Sequence, residues 1–412
     1  MLVYFKSSVC PIRLSKAVSP LLALVFVFSG CAAAGSSADS SSGDRSTPSQ
    51  DSLVVSQTPV GIDSLVMETD STRPENQKVI GYYAWWTRGA WINLNLSQYD
   101  KLIFFTTTVS SDGEIKERNG WPHAWGGFLD KADSAGVAVV PTMALLDASA
   151  IRTLFMSDEA IERLVSSALT LIGESGGTGL HLDIEFFETA GDTLSRRFMA
   201  FTDSLAAASL SKYPEAELSI FAPAFDAGGL YDIATLSDRY KEIMVQGYDL
   251  HWQNGPTAGP LSPLSGWGDE NWQEIATRYS NAGIESSRII MTIPYYGYEW
   301  PVESDERGAK TRSTGRIVTF APVDSLNLPD IQVSVEERIA QHGMKRDMDS
   351  GSPYYSFQDS TGWWQGWYED QTSLEVKYEF IKRHEMSGIA IFPIGYDAGK
   401  LDYLIVDHFG SR

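Results

Sequence analysis

The run Gly179-Leu180-His181-Leu182-Asp183-Ile184-Glu185-Phe186 decides how the rest of the chain is read. With a period of two, Leu180, Leu182, Ile184 and Phe186 fall on one face and His181, Asp183 and Glu185 on the other. Such a strand is apolar on its outer side and carries acids on its inner side. Burying two carboxylates without partners costs several kcal/mol, so stability alone would require buried counter-charges. Asp183 and Glu185 are also close enough for one ionised carboxylate to raise the pKa of the other, which keeps a general acid protonated near neutral pH. A structural ion pair or a solvated edge strand is the competing reading.

Working outward, seven more apolar runs have strand character. They are the run starting at Val79, then Lys101 to Thr106, Val137 to Thr142, Leu218 to Ala222, Ile243 to Tyr248, Ile289 to Pro294 and Gly388 to Pro393. Helical spacing lies between them. Ile161, Leu164, Val165, Ala168, Leu169 and Ile172 share one face, with Gly173 as the expected stop, and Leu194, Phe198, Phe201 and Leu205 share another. Eight strands, each followed by a helix, predict a closed (β/α)8 TIM barrel of the α/β class. An open doubly wound sheet is disfavoured because no Gly-rich phosphate loop follows the first strand. Strands seven and eight are almost a hundred residues apart, where a single helix and its loops need about thirty. The segment from about 301 to 368, with its short aromatic runs, therefore reads as a small α+β insertion walling one side of the barrel mouth. In this topology Glu185 points inward nearest the mouth. On the sixth strand Gln246 and Tyr248 share a face, and Asp249-Leu250-His251-Trp252 follow at the rim.

The composition of 412 residues, 43% of them hydrophobic, supports a large core, and the formal charge of −21 argues against a nucleic-acid partner. Residues 1–31 read as an export signal: Lys6, Arg13 and Lys16 precede the apolar run from Leu21 to Phe28, and Ser29-Gly30-Cys31 resembles a lipoprotein cleavage box. Cleavage there would leave Cys31 lipidated and remove Cys10, so no disulfide is expected. Residues 32–77, rich in Ser, Thr and Asp, read as a flexible tether. The folded unit is expected over 78–412. The protein is then an exported, membrane-anchored lipoprotein of the cell envelope, with the outer membrane permitted by Ala32 after the cysteine, and its expected state is a monomer.

Four ordered stretches carry a family resemblance. Thr178 to Glu185, TGLHLDIE, resembles the DGxDxDxE signature of glycoside hydrolase family 18. Tyr248 to Trp252 with Gly259 to Leu264, Ile293 to Trp300, and Trp367 to Lys377 with Gly388 to Asp397 are similar to further segments of the family's bacterial spore-cortex and peptidoglycan branch. The resemblance implies hydrolysis of β-linked N-acetylglucosamine polymers such as chitin or peptidoglycan, without cofactor or metal. It implies that Glu185 protonates the leaving oxygen, Asp183 orients the N-acetyl group and Tyr248 hydrogen-bonds it. The nucleophile is the sugar's own acetamide oxygen, an exception to the two-carboxylate scheme. His181, Gln246, Asp249, Tyr82, Trp85, Trp252, Tyr296 and Phe392 are the expected substrate contacts.

The chain departs from the pattern in four places. Thr178 and His181 stand where the signature has aspartates, Gln246 where methionine is common, and Phe392 where a sugar-stacking tryptophan is usual. His181, if charged, would lower the pKa of Asp183. These departures keep a second expectation open, a weak or inactive lectin-like barrel binding the same sugars.

Overall fold

The computed structural model describes residues 77–226, 228–322, 331 and 333–412. The expectations for the export signal, Cys31 and nearly all of the tether lie outside them. Along the chain run strands β1 (Lys78–Ala84), β2 (Lys101–Val109), β3 (Ile115–Glu117), β4 (Ala138–Leu145), β5 (Gly179–Ile184), β6 (Glu217–Ala222) and β7 (Glu242–Gln246). They continue as β8 (Ile289–Pro294), β9 (Tyr296–Val302), β10 (Arg316–Thr319), β11 (Lys345–Arg346), β12 (Pro353–Asp359), β13 (Gly362–Trp367) and β14 (Gly388–Phe392). Helices α1 (Gly126–Ser134), α2 (Ala148–Phe155), α3 (Asp158–Glu174), α4 (Gly191–Lys212) and α5 (Ile233–Arg239) alternate with the early strands. Helices α6 (Trp272–Asn281), α7 (Val335–His342), α8 (Gln371–Arg383) and α9 (Asp402–Phe409) follow.

Strand order β1-β14-β8-β7-β6-β5-β4-β2, closed by β1 pairing with β2, makes a parallel eight-stranded barrel, and β3 adds antiparallel to β2. The period-two pattern dictates its two surfaces. Val79, Leu102, Phe104, Leu180, Leu182 and Ile184 face out under the helices. Ile80, Tyr82, Ile103, Phe105, Val140, Met244, Ile290 and Ala390 fill the interior. Charged residues that open the strands close the floor: Lys101 Nζ lies 2.7 Å from Glu217 and 2.8 Å from Glu242, and Lys78 Nζ lies 2.6 Å from Glu242. The acids at the other end of the barrel are therefore not neutralised by these lysines.

Three details differ from the sequence reading. No α-helix follows β1; three 3-10 turns do, and the Lys131 amine takes up the Trp91, Ile92 and Leu94 carbonyls at 2.8–2.9 Å. Gly173 does not stop α3. A Cβ there would lie 2.6 Å from the Tyr213 hydroxyl, so this glycine admits a close approach, and the chain turns at Gly176 and Gly177, both at positive φ. The inserted sheet already starts at Tyr296, ahead of residue 301.

That second sheet, ordered β10-β9-β13-β12-β11, is antiparallel. One face packs on α7 through Val318, Val335, Tyr355 and Phe357. The other faces the loop after β7, with Trp300 Nε1 donating to the Gln253 carbonyl at 2.9 Å and Trp367 edge-on to Trp267. Glu299, wholly buried between β10 and β13, is satisfied by Arg316, Arg338 and the Tyr355 hydroxyl. A buried carboxylate with this many donors holds the sheet rigidly against the barrel mouth.

Candidate active site

The inward residues of β5 rise from His181 through Asp183 to Glu185, the last lying just past the strand. All are buried, Asp183 at 3% exposure and Glu185 at 7%. His181 is held on both sides: Nε2 is 3.0 Å from the Tyr82 hydroxyl on β1, and Nδ1 is 3.0 Å from Ser219 Oγ on β6. Glu185 and Asp183 are hydrogen-bonded as a pair, and Asp183 Oδ1 is buried with no hydrogen-bond partner. A buried acceptor left unpaired costs about 1–3 kcal/mol, so the fold carries this atom at a loss.

Burial first, then the charges of Asp183 and Asp249, holds the Glu185 carboxyl well above the usual range. Burial also raises Asp183 to about 7, against which the hydrogen bond from Glu185 pulls it down. The two effects sort the pair: Glu185 is the group that keeps the proton, and Asp183 is the group that loses it first. His181 is driven the other way, to about 3, by burial and by the Lys101 charge. It is therefore a neutral hydrogen-bond bridge, and the expectation that its charge would depress Asp183 does not apply.

Across the mouth, Tyr248 stacks parallel on Phe392, with centroids 5.9 Å apart and planes 4° apart, and meets Tyr296 edge-on at 6.2 Å. The charges on Glu185 and Asp183 both raise the Tyr248 phenol further after burial, which places it in the field of the pair. Asp249, at φ +55, turns into the same space. It accepts hydrogen bonds from the hydroxyls of Tyr296 (2.5 Å) and Tyr298 (3.2 Å), while burial lifts it to about 7. Tyr82 also lies edge-on to Phe392, at 5.7 Å. Gln246 points inward at the end of β7, in register with Thr292 of β8.

The remaining expected contacts lie further out. Trp85 packs against the outer core and lies edge-on to Trp86 at 5.9 Å, and the Trp252 carbonyl accepts from the Gly255 amide within its own turn. Thr178 precedes β5 and bonds back to the Ser175 carbonyl, away from the pair. Trp86 joins the expected contacts at the site, and two further groups, Tyr298 and Tyr231, escaped the sequence reading as site residues. Trp86 packs on Phe105 and Phe392 and donates to the Tyr396 hydroxyl at 2.9 Å. Tyr298 was legible in principle, because it alternates with Tyr296 along β9. Tyr231, on the loop after β6, carried no pattern at all.

Two carboxyls that split one proton at the mouth of a closed barrel, facing a tyrosine and an aromatic wall, fit the family resemblance, and residues 78–397 match the family described as Glycosyl hydrolases family 18. The chain belongs to glycoside hydrolase family 18. Among its relatives, the di-N-acetylchitobiase of Rattus norvegicus is 25% identical over 183 residues, covering 42% of this chain and 46% of the relative. The cortical fragment-lytic enzyme of Bacillus anthracis is 21% identical over 170 residues, covering 40% and 34%. The matches thus span less than half the length of these curated relatives. The family 18 chitinase from Cycas revoluta, solved in complex with (GlcNAc)3, superposes with a TM-score of 0.67 at 18% identity, covering 81% of this chain and all of that one. The family 18 fold is shared throughout the described barrel.

Proposed function

We propose that this family 18 member hydrolyses β-linked N-acetylglucosamine polysaccharide, chitin or peptidoglycan in kind, by a substrate-assisted retaining mechanism. The observation that carries the reading is the Asp183–Glu185 pair, buried together with the proton held on Glu185. Relatives named as a chitobiase and as a cortical fragment-lytic enzyme support the substrate class.

In this reading the acetamide oxygen of the bound sugar attacks its own C1 as the glycosidic C1–O bond breaks, and Glu185 gives its proton to the departing oxygen. Asp183, ionised, accepts from the acetamide N–H and balances the positive charge that forms on the ring. The Tyr248 hydroxyl donates to the acetamide oxygen and holds it in line. Glu185, now a carboxylate, then takes a proton from water as that water attacks C1 from the departed side and the bond between C1 and the acetamide oxygen breaks, which restores the N-acetyl group and retains the anomeric configuration. Phe392 and Trp86 form the floor under the sugar.

Mass spectrometry of products from chitin oligomers and purified peptidoglycan, with wild type beside Glu185→Gln, tests the reading. Turnover in wild type and its loss in the variant support it. Equal residual turnover in the two proteins sinks the assignment of Glu185. Oligosaccharide affinity without turnover in wild type would establish the lectin-like alternative. We also propose, from residues 1–31, that Cys31 carries a lipid; detergent partitioning of wild type against Cys31→Ala reads this directly.

A further inference from the structure

The ladder between β5 and β6 ends early. Their pairing runs from Gly179–Glu217 to Leu182–Ile220, whereas β4 stays paired with β5 up to Leu145–Ile184 and then takes the Glu185 amide on the Leu145 carbonyl at 3.2 Å. On the β6 side, the Ile184 carbonyl and the Phe186 amide are therefore left without a strand. Buried backbone groups need partners. One side chain supplies both: the Tyr231 hydroxyl donates to the Ile184 carbonyl and accepts from the Phe186 amide at 3.3 Å. The two bonded groups flank Glu185 in sequence.

Tyr231 is itself fixed by its own loop. The Asp226 carboxylate accepts from the amides of Gly229 (2.9 Å), Leu230 (3.2 Å) and Tyr231 (3.0 Å). The Gly228 carbonyl accepts from the Ala190 amide at 2.8 Å, tying the loop to the segment after Glu185. Packing supports the same placement: Leu230 is wholly buried in the core, and the Tyr231 ring meets Phe198 edge-on at 5.4 Å.

We infer that Tyr231 is a positioning residue for the general acid: its phenol replaces the missing rungs of the β5–β6 ladder and fixes the Glu185 peptide at the barrel mouth, with Asp226 setting the phenol. The inference rests on the functional reading of Glu185. Tyr231→Phe keeps the ring and removes both hydrogen bonds. A misplacement of the acid by a fraction of an ångström is expected to lower kcat about tenfold or more. KM should stay within about twofold, because ground-state contacts are kept. Loss of its acceptor should speed exchange of the Phe186 amide about tenfold, a readout independent of turnover. Asp226→Ala should show the same signature. Tyr378→Phe, which deletes a buried phenol hydrogen bond to Tyr295 in the helical layer, should leave kcat and the Phe186 amide unchanged. Unchanged exchange in Tyr231→Phe overturns the inference, as does unchanged kcat while wild type turns over. A wild type inert on every oligomer overturns the functional reading instead, and the exchange result then reports on the clamp alone.

Discussion

The Tyr82 hydroxyl lies 3.0 Å from Nε2 of His181, and this contact gives the histidine its meaning. With Ser219 on the other ring nitrogen, both imidazole positions are occupied by neutral hydroxyl partners, and burial holds the ring uncharged. The position where the family signature has an aspartate here contributes no charge to Asp183, so one proton is divided between two carboxyls.

His181 should show no protonation between pH 5 and pH 9, since its value is driven down to about 3. Imidazole nitrogen shifts that stay constant over that range are the expected result. His181→Ala should destabilise the fold by about 2–4 kcal/mol, because it leaves the buried Tyr82 and Ser219 hydroxyls short of a partner and opens a cavity. Denaturant unfolding measures it.

Glu185→Gln should lower kcat by about 10²–10⁴, the usual contribution of a positioned general acid. Affinity for an N-acetylglucosamine oligomer should be kept, because the amide preserves the shape of the site. Steady-state kinetics and calorimetry on the same preparation separate the two.

The pH dependence of kcat/KM should be bell-shaped. The productive form has Asp183 ionised and Glu185 protonated. Activity is therefore expected to rise with pH as Asp183, lifted to about 7, loses its proton, and to fall at higher pH as Glu185 loses its own. Asp183→Asn should remove the rising limb together with most of the rate.

Stability should fall between pH 5 and pH 8. The folded pKa of Asp249 is raised from an ordinary 3.8 to about 7, so the fold favours its protonated form. The stability this lends is complete below the unfolded value and is lost as pH climbs through the folded one. Asp183 and Glu185 act in the same direction. Asp249→Asn should flatten the decline of Tm with pH, while a slope equal to that of wild type would contradict this account.

Lys377→Met should cost about 3–5 kcal/mol. The Lys377 amine lies 2.6 Å from Glu369, both are almost fully enclosed where α8 joins the insertion, and removal of the cation leaves a buried acid without its counter-charge. The loss is expected in thermal unfolding, with little change in kcat.

The one-dimensional pattern was sufficient for the barrel and for the acids, because period-two alternation on eight strands fixes which side chains point inward, whatever their neighbours are. Asp183, Glu185, Gln246 and Tyr248 were legible for that reason, and the length of chain between β8 and β14 announced the insertion. Tertiary structure decided what alternation cannot carry. The charge state of His181 depends on hydroxyls from β1 and β6, Asp249 faces the pair only because its backbone turns at positive φ, and Tyr231 reaches Glu185 only because the β5–β6 ladder stops short. The first and the last are contacts between residues distant in sequence, set by hydrogen-bond geometry and burial, the second is a turn of one residue, and none of them leaves a periodic trace along the chain.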